Sequence, residues 1–119
     1  MNVLDEQELH NLAMNIVGKE IESRKWEFLA VNSQLKRDPQ FVCVDAQNKK
    51  HFVIVRAISY PDNPQDIDYV FMETVKEHAM KFEAKTHYAG VGLANAENYE
   101  LPVSKDNDYI VNYNGLVEI

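Results

Sequence analysis

Apolar residues recur at Leu9, Leu12, Ala13, Ile16, Val17 and Ile21, the i, i+3, i+4 spacing that gathers side chains on one face of a helix. Asp5 followed three residues later by Glu8 carries the signature of a capping box, and Leu4 is placed to pack on Leu9, so the helix is predicted to start there. Gly18 weakens this helix slightly without breaking it. From residue 26 to 31 the pattern changes to alternation, with Trp26 and Phe28 on one side and Glu27 on the other, which predicts a first strand. Two apolar runs follow, residues 41–44 and 52–58, the second carrying Arg56, separated by a polar stretch over 45–50. They predict two buried strands joined as a hairpin.

The cluster Tyr60-Pro61-Asp62-Asn63-Pro64 ends the third strand, and Asn63 as cap with Pro64 in the first turn predicts a second helix running to about Lys85. Its apolar face is expected to comprise Ile67, Val70, Phe71, Val75, His78, Ala79 and Phe82. Residues 88–94 predict a fourth strand, in which Gly90 and Gly92 share one face and admit close approach of a helix or neighbouring backbone. Residues 109–113 predict another strand, and Asn114-Gly115 signals a hairpin turn into a short returning strand over 116–119.

Composition bounds what such a chain does. At 119 residues it has room for one domain, 1–119, and no separate catalytic domain. Its 12 Lys and Arg against 19 Asp and Glu give a net charge of −7, which disfavours unaided binding to nucleic acid or anionic membranes. The single cysteine, Cys43, excludes an internal disulfide, a zinc finger and an iron–sulfur cluster, and fits a reducing, cytoplasmic setting. The acidic start does not read as a signal peptide, and no apolar run is long enough to insert into a bilayer.

Helix, strand, strand, strand, helix, strand over residues 5–94 resembles the αβββαβ core of the PD-(D/E)XK, or restriction-endonuclease-like, superfamily. The resemblance implies an α/β fold with a mixed central sheet flanked by helices, here with an extra C-terminal hairpin. In that superfamily an Asp opening the second core strand and a Glu-x-Lys on the third hold a divalent metal at one end of the hairpin, because hard Mg²⁺ takes oxygen ligands. Here the matching positions read Pro39-Gln40 and Ile54-Val55-Arg56. Both acids are absent, and Arg56 keeps a positive charge without being able to shuttle a proton. Asp45 stands five residues beyond Gln40, about 17 Å along an extended strand, and cannot substitute. Glu20 corresponds to an acid that some members carry on the first helix. The vestigial pocket is therefore expected to comprise Glu20, Gln40, Ile54, Arg56 and His78, with no catalytic residue, metal or cofactor.

Through Gly90-Val91-Gly92-Leu93-Ala94 and Tyr113-Asn114-Gly115 the chain is also similar to a group of short bacterial proteins. These are named after one component of the sodium-translocating NADH-quinone reductase, the component that resembles a ferredoxin joined to a flavin reductase. A full-length component of that type needs four cluster cysteines. With Cys43 alone, no flavin, NADH or quinone chemistry is expected here.

Other residues have structural readings. His78 on an apolar face reads as a hydrogen-bonded core histidine before it reads as a ligand or base. His51 and His87 stand at strand starts, far apart in sequence and without metal-ligand spacing. The Gly90-Val91-Gly92 segment lies within a strand and is no phosphate loop. Cys43 in an apolar strand is expected to be inert, its pKa raised by burial. The tyrosines, if clustered, offer an interaction surface. The leading expectation is a noncatalytic nuclease-like domain that binds another protein or itself as a homodimer. The alternatives are an enzyme with a site rebuilt from Glu20, Arg56 and His78, and an accessory or immunity-type partner of a basic protein.

Overall fold

The computed structural model describes residues 2–119, in the order α1 (Glu6–Ser23), β1 (Glu27–Val31), β2 (Phe41–Val44), β3 (Lys50–Ser59), α2 (Tyr69–Met80), β4 (Ala84–Asn95), β5 (Tyr109–Asn112) and β6 (Val117–Glu118). The strands form one mixed, open sheet in the order β1-β2-β3-β4-β5, with β6 also on β4. Strands β1, β2 and β3 form an antiparallel meander, whereas β3 and β4 run parallel over ten paired residues, connected through α2. A parallel pair needs such a crossover, since a tight turn reverses the chain.

The α1 start follows the sequence closely. Asp5 accepts the Glu8 backbone N–H at 2.8 Å, and Glu8 accepts the Asp5 N–H at 3.1 Å, closing a reciprocal capping box. Ala13, Met14, Val17 and Ile21 pack against Phe41, Cys43, Val53, Val55, Ala89, Val91 and Leu93 on one face of the sheet. His10 and Met14 join this buried face, whereas Leu9, Leu12 and Ile16 lie at its margin. Cys43 is fully buried there, and burial pushes its thiol up to about 11, too high for a thiolate nucleophile at neutral pH.

The second helix departs from the expectation at both ends and in rotation. Asp68, not Asn63, caps it by accepting the Phe71 N–H, and it ends at Met80 rather than near Lys85. The segment before it lies across β4 instead of coiling. The Tyr88 hydroxyl donates to the Pro64 carbonyl at 3.0 Å, and a Cβ on Gly90 would collide with that same carbonyl oxygen. Pro64 also covers Gly92, so the two glycines do serve the close backbone approach that their position suggests. Once α2 forms, Met72 and Ala79 face inward, with Val75 beside them, while Val70 is 83% exposed and Phe82 is 49% exposed. The buried face is thus rotated from the predicted one: it takes in Met72 and leaves Val70, Phe71 and Phe82 outside.

The C-terminal hairpin is also corrected. Both β5 and β6 pair antiparallel with β4, so they are two pieces of one edge strand travelling in the same direction. Gly92 faces Asn112 and Tyr88 faces Val117, which sets five residues of the edge (117 − 112) against four of β4 (92 − 88). The extra residue falls in a bulge at Asn114-Gly115, where Gly115 has φ 95°. Asn-Gly supplies the left-handed conformation that its composition promises, but for a bulge and not a reversal. Within the break, the Tyr113 hydroxyl donates to the Glu20 carboxylate of α1 at 2.5 Å, which draws the chain away from the ladder.

Candidate functional site

The open end of the β2–β3 hairpin is closed by side chains. Gln40, fully buried, immediately precedes β2, and its backbone N–H donates to the Val53 carbonyl at 3.0 Å. Its Oε1 accepts the Val55 N–H at 2.7 Å, so the side chain supplies the next rung of the ladder where Pro39 follows a turn. Its Nε2 donates to Asp38 Oδ1 at 2.8 Å. Arg56, from the middle of β3, places Nη1 and Nη2 on Asp38 Oδ1 and Oδ2, each at 2.8 Å. Nη1 also donates to the Val55 carbonyl, and the guanidinium stands 5.5 Å from the centre of the Phe71 ring.

This arrangement fixes the charge of Asp38. Burial raises its pKa, but the Arg56 and Gln40 hydrogen bonds and the Arg56 charge outweigh burial and hold the carboxyl below its ordinary value. The two carboxylate oxygens and the guanidinium form a bidentate pair, the geometry in which an arginine is most strongly fixed. A metal approaching Asp38 would meet an adjacent guanidinium and would have to displace it.

The residues expected to share the vestigial pocket are dispersed. Gln40 and Arg56 converge on Asp38. Ile54 is fully buried among Met72, Tyr88, Ile67, Val75 and Ile119, and with Arg56 it lines a cavity of about 290 Å³ under α2. Glu20 lies on the α1 side, where it accepts from Tyr113 and pairs with Arg24 at 2.7 Å. His78 is exposed on α2 and meets Phe82 and Phe52, which lies four residues before Arg56 on β3, about 13 Å away along the strand. It is therefore neither a core histidine nor a neighbour of Arg56. Glu20 and His78 occupy helices on opposite faces of the sheet, with the sheet between them.

Two residues at this end escape the sequence pattern. Asp38 belongs to a polar stretch that looks like loop, two residues before Gln40. His10 sits three and seven residues before Ala13 and Val17, in register with the buried face of α1. It is 1% exposed, and among the described residues its Nε2 has no hydrogen-bond partner. Burial, followed by the Arg56 charge, lowers its pKa, the Asp38 carboxylate opposing them, so it is neutral at neutral pH.

A second polar cluster closes the opposite end of the sheet. His51 Nδ1 and His87 Nε2 lie 2.9 Å apart, and His51 Nε2 lies 2.9 Å from Asp45 Oδ2. Trp26 stacks on His51 with ring centres 3.8 Å apart, and Arg24 covers the indole from 5.1 Å. With Asp45 accepting the His51 Nε2 proton, one shared proton joins His51 Nδ1 and His87 Nε2. The two histidines, distant in sequence, are thus brought together by the β3–β4 register, and Asp45 serves this cluster.

The chain matches, over residues 7–119, a family described as a domain of unknown function, DUF8840. It belongs to that family. No curated protein and no solved structure matches it. Membership extends from the first turn of α1 to the last residue of the edge strand, and so takes in both polar clusters. Among the described residues no helix is long and apolar enough to cross a membrane.

Proposed function

We propose that this DUF8840 domain is a noncatalytic member of the restriction-endonuclease-like fold that binds another protein or a second copy of itself. The observation that carries this reading is the occupancy of Asp38, both of whose oxygens are held by Arg56, beside a fully buried Ile54 where a second acid would be needed. One neutralised carboxylate offers Mg²⁺ neither the charge nor the free oxygens that a hard cation requires. The element order α1 β1 β2 β3 α2 β4 supports the fold assignment.

Self-association has its own support at the sheet edge. Tyr109, Ile110 and Val111 of β5 are exposed, and among the described residues one side of that strand's backbone has no partner strand. Edges of this composition, without lysine or proline to blunt them, pair readily with another strand. Tyr60 and Tyr99 pack together beside them at 5.4 Å, which provides a clustered aromatic surface.

The test has two parts. Purified protein incubated with DNA or RNA and Mg²⁺ or Mn²⁺ is expected to leave the nucleic acid intact. Cleavage that disappears in Arg56→Ala would overturn the noncatalytic reading. Sedimentation is expected to show a concentration-dependent dimer that Val111→Lys disrupts; a monomer at high concentration removes the homodimer form.

A further inference from the structure

We propose that the groove around Tyr60 and Tyr99 docks a proline-rich segment of a partner protein, held in the extended polyproline conformation and flanked by basic residues. This rests on the protein-binding reading above and deepens it by giving the partner's chemistry.

The groove forms where the end of β3 meets the connection after β4. Tyr60 follows β3 and Tyr99 stands between β4 and β5; their rings pack with centres 5.4 Å apart at 59°, and each residue is about half exposed. Two cavities, of about 180 and 260 Å³, share these two tyrosines together with Leu93 and Ala94. Pro64 and Ile110 wall the first, and Leu4, Leu9 and Leu101 the second. Small cavities that meet at an aromatic pair suit single side chains spaced along an extended chain, whereas a helix needs one continuous trough. In the polyproline conformation residues i and i+3 return to the same side about 9 Å apart, and the preformed chain loses little entropy on docking.

The tyrosine hydroxyls fit the same backbone. Tyr88 and Tyr113 donate theirs within the protein, to Pro64 and Glu20, but among the described residues those of Tyr60 and Tyr99 have no partner. A polyproline chain has no internal hydrogen bonds, so its carbonyls are free to accept from both.

Charge selects the flanks. Among the described residues, the charged side chains that line the two cavities are Asp62 at the first and Glu100 at the second, with no Lys, Arg or His beside them. Neither acid is in an ion pair there, and Lys36, which shares a neighbouring cavity with Asp62, makes none with it. With a net charge of −7 behind them, these carboxylates attract a basic segment and repel an acidic one. Arginine fits best, since its guanidinium both pairs with a carboxylate and stacks on a tyrosine ring.

The experiment titrates the full chain into three fluorescent synthetic peptides of equal length and follows their anisotropy. One is a proline peptide with arginine at both ends, one the same with glutamate ends, and one an arginine-ended glycine-serine peptide. The first is expected to bind saturably, and each of the others at least about tenfold more weakly. Tyr99→Ala and Glu100→Gln alter exposed side chains, and each is expected to weaken the first peptide severalfold while the circular dichroism spectrum is unchanged. No saturable binding of the first peptide up to about 1 mM would overturn the docking surface. Equal binding of the glutamate-ended peptide would overturn the basic partner, and equal binding of the glycine-serine peptide the proline assignment. Loss of a dimer in Tyr99→Ala, with no peptide bound by the unaltered chain, would give the groove to a second copy instead. Failure of all three peptides leaves the noncatalytic reading standing, because that reading falls only to nucleic acid cleavage.

Discussion

His51 Nδ1 and His87 Nε2 stand 2.9 Å apart in the protein interior, joined across 36 residues of sequence by the parallel pairing of β3 with β4. Burial first, and then the charges of His51, Arg24 and Lys85, bring the His87 pKa down to about 4 from an ordinary 6.5. Between those values the unfolded chain binds more protons than the native one, so stability decreases as pH falls through that window. At about 1.4 kcal/mol per tenfold difference in proton affinity, the loss approaches roughly 3 kcal/mol below pH 4. Urea unfolding at pH 7, 6, 5 and 4 is expected to show this slope, and His87→Gln to flatten it. An unchanged slope in the variant would assign the acid sensitivity elsewhere. Asp45, whose pKa is lowered chiefly by its bond to His51, acts in the same direction at lower pH.

Removal of Arg56 strands an ionised Asp38 whose side chain is 17% exposed. Arg56→Ala is expected to cost about 2–4 kcal/mol, less than a fully buried pair because water reaches both groups in part. Asp38→Asn combined with Arg56→Ala is expected to cost less than the sum of the two single changes. Denaturant midpoints of the four proteins give the coupling, and strict additivity would show that the pair does not hold the hairpin end.

The rotation of α2 makes a paired comparison. Met72 is 1% exposed and Val70 is on the outer surface. Met72→Ala is expected to lose about 2–5 kcal/mol, whereas Val70→Ala stays within about 0.5 kcal/mol. Thermal unfolding of the two variants decides it, and the reverse order would return α2 to the face expected from its pattern.

Gly90 and Gly115 are needed for different reasons. A methyl group at position 90 meets the Pro64 carbonyl and the Tyr88 ring, both fixed by their mutual hydrogen bond. Gly90→Ala is expected to cost more than about 3 kcal/mol or to prevent folding. At position 115 there is space, and the penalty comes from φ 95°, about 1 kcal/mol for alanine. Solubility and chemical denaturation of the two variants distinguish steric exclusion from backbone strain.

The elements legible in the sequence are those specified locally. The Asp5–Glu8 box, the α1 stripe and the apolar run of β2 each depend on neighbours within a few residues, and the structure places them accordingly. Asn114-Gly115 is legible as a special backbone conformation, but whether it reverses the chain is decided by what the flanks pair with, here β4 on both sides. The start of α2 is set by Pro64 docking over two glycines far along the chain, which no local cap signal can report. At the candidate site, Gln40 and Arg56 are marked by the pattern of the hairpin. Asp38 requires knowing that the turn before β2 folds back on β3, and the His51–His87 pair requires the β3–β4 register.

Trp26, the chain's one indole, lies nearly flat against His51, at an interplanar angle of 10°. His87 lies against the same indole, with ring centres 5.5 Å apart. The emission of Trp26 thus offers a built-in optical gauge of how that corner of the sheet is packed, readable without any label.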